Sequence, residues 1–123
     1  MRVEIKKSEA WCDWIARPVD VWDADLSASV SERNFTMQTL DDALNVRAIL
    51  FETLTNIQTA ELRAFRSAPQ GEPELILIGS AFRDDRRPAP DVSLAMQAKL
   101  LGFHFTVADN ALIHLATERH VPA

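Results

Sequence analysis

The side chains most able to recognise or transform another molecule are few: Arg47, a charged run containing Asp84, Asp85, Arg86 and Arg87, three histidines and one cysteine. Arg86 and Arg87 offer forked donors that could grip a carboxylate, a phosphate or an acidic patch on a partner. Arg47 falls inside an otherwise apolar helical stripe. Its stem can pack there while its head reaches water or an acid, or the head can face a cleft as an anion-binding group. His104 follows Gly102 and, on a strand, could act as a base if an aspartate lay close. The spacing of His104, His114 and His120 matches no zinc motif, so no metal site is expected. Cys12 adjoins Asp13, which disfavours a thiolate. Ser80 lies in GSA rather than GxSxG, and the adjacent Asp84 and Asp85 diverge in an extended segment, so neither starts a known catalytic pattern. Asp23, Asp25 and Ser27 resemble the opening of a calcium loop, but Ala28 and Asn34 stand where Gly and Glu are needed. Catalytic residues are therefore unknown and no cofactor is expected. The binding candidates are Arg47, Asp84, Asp85, Arg86, Arg87 and His104.

The elements that must position these groups are organised around residues 74–82, ELILIGSAF. Four successive aliphatic residues, closed by Pro73 and the charged run, read as a strand covered on both faces. Residues 2–6 alternate, with Val3 and Ile5 on one side, and predict a strand with one wet face. Ser8 predicts the cap of a helix ending before Pro18, in which Trp11, Trp14 and Ile15 share a face. Residues 19–22 read as a strand and residues 23–33, rich in Ser and Asp, as a loop. Thr39, with Asp42 three residues on, opens the clearest helix, whose stripe leaves Ile49 outside as a patch for a second neighbour or a partner.

Residues 57–66 fit either an extension of that helix or a strand. The strand is preferred because it forms a hairpin with residues 74–82, setting Leu62 and Ala64 opposite Ile78 and Ile76, with Phe65 beside Leu75. Gly79 marks a bulge or a close backbone approach. Asp91 caps a helix over residues 92–101 that Gly102 stops. Residues 103–108 form a strand, and Asp109 caps a last helix over residues 110–118. The tail from residue 120 frays.

These elements give the order β-α-β-α-β-β-α-β-α. They predict one compact α+β domain over residues 1–123, a mixed sheet of about five strands with helices packed on it. The chain has 123 residues and a formal charge of −5, which disfavours nucleic acid and anionic membrane surfaces. One cysteine excludes an internal disulfide, and neither a signal peptide nor a membrane span is evident, so a cytoplasmic location is expected. The composition and the lack of catalytic motifs point to a small binding or regulatory protein that docks on a protein partner, of the inhibitor, immunity or accessory-subunit type. The alternative is a homodimeric domain for a small anionic ligand, using Arg47, His104 and the Arg86/Arg87 loop, with an enzymatic site that no motif spells out.

Overall fold

The sequence's alternating and helical stretches resolve, in a computed structural model, into two layers. The structure describes residues 1–18, 27–68, 71–85, 88 and 91–115. In chain order the elements are β1 (Arg2–Lys6), β2 (Glu9–Ile15), α1 (Ala28–Thr53), β3 (Thr59–Arg66), β4 (Glu74–Phe82), α2 (Leu94–Leu100), β5 (Phe103–His104), β6 (Val107–Ala108) and β7 (Ala111–Leu112). The main sheet has the order β1-β2-β3-β4-β5, and β6 pairs with β7 apart from it. β2 and β3 are parallel, because α1 carries the chain back between them; every other pairing is antiparallel. This is the single α+β domain with a mixed five-stranded sheet that the sequence implies. No helix among the described residues is long and apolar enough to cross a membrane.

The expected helix after Ser8 is strand β2. Ala10, Cys12, Trp14 and Ala16 are buried while Trp11 and Ile15 face out, a period of two. The spacing of Trp11, Trp14 and Ile15 fits a helix equally well. The burial of small Ala and Cys side chains decides the matter, and it depends on α1 lying close. Ser8 caps no helix; its carbonyl accepts from the amides of Gln58 and Thr59, which starts the β2–β3 pairing.

α1 begins at Ala28, not Thr39. Ser27 is the N-cap, its hydroxyl accepting from the Val30 amide at 3.3 Å. Residues 27–33, expected as loop, are thus helix or its cap, and Thr39 is buried in mid-helix against the sheet. Residues 23–26 and the expected strand at 19–22 lie outside the described residues.

The β3–β4 hairpin forms as expected, with Phe65 opposite Leu75, but Ala64 meets Leu77 and Leu62 meets Gly79. A bulge between the Ala64 and Phe65 pairings explains the slip. It also explains a burial pattern that simple alternation forbids: Ile76 and Leu77, though adjacent, both join the main core, whereas Leu75 is buried outside it. β4 is an inner strand between β3 and β5, with Leu75, Ile76 and Leu77 buried and Ile78 half-buried.

At Gly79 the close neighbour is a side chain rather than backbone: a Cβ there would collide with the Phe103 ring. α2 starts after the Ser93 cap rather than Asp91. Gly102 does end that segment at φ +93°, and a side chain there would also strike the Ser80 carbonyl. Only Phe103 and His104 then pair with β4. Residues 107–112 form a tight hairpin, where a helix was expected from residue 110. Asp109 and Asn110 take φ of +51° and +68°, the left-handed pair that a two-residue primed turn requires. Residues 116–118 and the expected fraying tail lie outside the described residues.

Candidate functional site

Cross-strand register assigns every sheet residue to a face. Ala10, Cys12 and Trp14, Ala60, Leu62 and Ala64, and Leu77 and Ala81 share the core with Phe35, Leu40, Leu50 and Phe51 of α1. The opposite face carries Trp11, Asp13, Ile15, Glu61, Arg63, Phe65, Leu75, Ile78, Ser80 and Phe82. Of these, Leu75 is buried, its carbonyl accepting from the Leu115 amide at 2.8 Å. No helix among the described residues covers it. Trp11 is 36% exposed, Ile15 49% and Phe82 52%.

Four charges on this face pair with one another, Arg63 with Asp13 and Arg2 with Glu4. Arg63 donates to both Asp13 oxygens at 2.8 and 2.6 Å, and that hydrogen bonding holds the guanidinium pKa above its ordinary value. The Arg63 guanidinium also lies 5.6 Å from the Phe65 ring centre. Arg2 reaches Glu4 at 2.6 Å, and Ser80 Oγ stands 2.9 and 2.8 Å from the two Glu61 oxygens. Trp11 sits among Arg2, Glu4, Asp13 and Arg63.

The sequence-derived candidates are not gathered in one place. His104 pairs with Ile78 and is exposed on the uncovered face, since its neighbour Phe103 is the one turned into the core. Arg47 lies on α1, on the other side of the sheet. It donates to the Phe82 carbonyl at 3.0 Å, with its guanidinium 5.1 Å from the Phe51 ring centre. Asp85 accepts from the Phe82 amide at 3.3 Å, so Arg47 and Asp85 both fasten the end of β4. Asp84 is exposed. Arg86 and Arg87 lie outside the described residues.

Arg83, passed over as one charge in a run, has the most committed side chain of the region. Its three nitrogens donate to the carbonyls of Ile57, Phe51 and Leu54 at 2.7, 3.0 and 2.7 Å. It thereby closes the C-terminal end of α1, which has no basic residue in its own last turn. No local pattern signals this, because the acceptors are 26 to 32 residues away. Cys12 is fully buried; burial, then the Asp13 charge, pushes its thiol pKa up, the reverse of what a nucleophile needs.

Two cavities flank α1. One, of about 430 Å³, lies between α1 and the N-terminal hairpin, lined by Met1, Trp14, Ile15, Val46 and Ile49 together with the Arg17–Asp42 pair. Arg17 meets both Asp42 oxygens at 2.7 and 2.8 Å. The other, of about 300 Å³, lies between α1, α2 and the β6–β7 hairpin, with Arg33 and Lys99 at its rim. Its Thr36 hydroxyl already donates to the Asn110 carbonyl at 2.8 Å, and Lys99 lies 5.4 Å from the Phe105 ring centre. Among the described residues no three metal-ligating side chains come together.

No protein-family model matches the chain, and comparison with curated proteins and with solved structures finds no match.

Proposed function

We propose that this domain is a protein-docking module that meets a folded partner through the uncovered face of its sheet. The observation that carries the reading is the pairing of exposed Trp11, Ile15 and Phe82 with charges that neutralise one another within the same face. Large apolar groups amid satisfied polar ones are what the centre of a protein interface presents, with Trp and Phe as favoured anchors. The same pairing speaks against a small anionic ligand here, since the Arg63 fork is already engaged by both Asp13 oxygens. It speaks against nucleic acid too, which needs a surplus of free cations. The partner surface that fits is apolar at its centre and carries both signs of charge around it. A regulator, an inhibitor or an accessory subunit would work this way.

The test is site-specific photocrosslinking in extract of the source cells, with the photoreactive residue at Trp11, or at Glu52 on the exposed side of α1 as control. A single adduct of defined mass from position 11, absent from position 52 and lost on Phe82→Asp, is the expected result. The same adducts from both positions, or none from position 11, would retire the reading.

A further inference from the structure

We infer that β1 is a self-pairing edge: two copies of the chain join antiparallel through their N-terminal strands about a two-fold axis at Val3, merging two five-stranded sheets into one. The inference does not depend on what the uncovered face binds.

β1 is bonded to β2 along one side only, in unbroken register from Arg2 to Lys6. Among the described residues no strand lies on its other side, and all five of its residues are exposed. Edge strands of monomers are usually blunted by shortness, charged side chains, proline, a bulge or an inward-pointing charge. β1 is five residues long, with Arg2, Glu4 and Lys6 along its outward face. β1 has no proline and no bulge, and its inward positions are apolar. Val3 and Ile5 sit opposite Cys12 and Ala10, so they share the helix side, yet they are 41% and 54% exposed. Met1 is 77% exposed, and Ile49 on the flank of α1 is 58% exposed. α1 packs over the middle of the sheet and leaves this apolar strip overhanging.

The order of residues in β1 selects the occupant. In a two-fold pairing, residues that face each other must belong to the same side of the sheet. With the axis at Val3, Arg2 faces the partner's Glu4, Met1 faces the partner's Ile5, and Val3 faces the partner's Val3. Every pair is complementary, and each unlike pair occurs twice. With the axis at Glu4, like charges oppose: Glu4 on the partner's Glu4 and Arg2 on the partner's Lys6. With the axis at Ile5, Glu4 faces the partner's Lys6, but apolar Val3 would face the partner's charged Lys7, whose φ of +56° takes it out of extended backbone. The Arg2–Glu4 contact within one chain is between well-exposed groups and contributes little, so both are free to be re-paired across strands. The axis places both α1 helices on the same side. The partner's Ile5 then lies against Met1, at the mouth of the groove lined by Trp14, Val46 and Ile49. An unrelated extended peptide could use the edge bonds, but nothing in β1 would favour it over this register.

Sedimentation equilibrium of the full chain tests the inference. The wild-type protein should be a dimer. Arg2→Glu and Glu4→Arg should each weaken self-association about tenfold or more, because each sets like charges opposite one another twice. Both positions are exposed, so circular dichroism should show an unchanged fold. Mixing the two variants should restore the dimer, since one chain then presents acids at both positions and the other bases. A monomeric wild type, a dimer indifferent to both substitutions, or a mixture that stays dissociated would each overturn it.

Discussion

On the helix side of β2, β3 and β4, six small residues, Ala10, Cys12, Ala60, Ala64, Gly79 and Ala81, are interspersed with Trp14, Leu62 and Leu77. On the other side the same strands raise Trp11, Ile15, Phe65, Ile78 and Phe82 among ion pairs. The small residues let α1 approach closely, and the volume of the core is shared between Trp14, Leu62 and Leu77 of the sheet and Phe35, Leu40, Leu50 and Phe51 of α1. Among the described residues no such partner layer lies on the other side, so Trp11, Ile15 and Phe82 keep apolar area in contact with water. One face of the sheet thus holds the fold together, and the other is left able to gain free energy by being covered. The largest test of that division is a pair of truncations. Leu62, fully buried between the strands and α1, should cost about 2–5 kcal/mol as Leu62→Ala. Phe82→Ala, larger in lost volume but half exposed, should cost under about 1 kcal/mol. Urea denaturation of both variants checks this, and similar losses would mean the two faces are not different in kind.

The seam between helix and sheet offers the next test. Arg83 supplies donors to the carbonyls of Phe51, Leu54 and Ile57, and Arg83→Ala removes all three bonds, leaving the Ile57 amide on the Leu54 carbonyl at 3.3 Å. The expected loss is about 2 kcal/mol, because water reaches part of the site and replaces some of what is removed. Arg83→Lys should recover only a part, since one ammonium cannot follow three acceptors set around a planar fork. Full recovery by lysine would show that charge near the helix end matters and the fork does not.

How much of this division the sequence discloses depends on how local its causes are. β1, the β3–β4 hairpin and the stop at Gly102 follow from alternation, paired apolar runs and one glycine, all within a few residues. The expected dry side of β1 is not found: Val3 and Ile5 are exposed as well as Arg2, Glu4 and Lys6. β2 is hidden because Ala and Cys are read as weak apolar signals, and only the distant α1 makes them core. The first turns of α1 are hidden because Ser and Glu suit loops as well as caps. Asp109–Asn110 serves a tight turn or a helix start equally, and pairing of Val107 with Leu112 decides for the turn. Among the binding candidates, the sequence marks Arg47 as an exception in its stripe. That its donor goes to the Phe82 carbonyl, with His104 across the sheet, is fixed by topology alone. Trp11, the centre of the uncovered face, is concealed by the same helical spacing that concealed β2.

The smallest effect is the sharpest for the uncovered face. Asp13 and Arg63 face each other on neighbouring strands in a two-pronged contact, geometry that favours a strong pair. Their setting works against it: the Arg63 side chain is 46% exposed and that of Asp13 26%, so water and salt screen the attraction. A double-mutant cycle with Asp13→Asn and Arg63→Gln should therefore give a coupling of about 0.5 kcal/mol, shrinking as ionic strength rises. Covering the face changes the balance. Exclusion of water by a docked partner strengthens the pair and raises the cost of leaving either charge alone, so each single substitution should weaken partner binding by more than it weakens folding. A coupling above about 2 kcal/mol in the isolated domain would instead mean that the pair is already shielded, and that this face is closed by the protein's own chain.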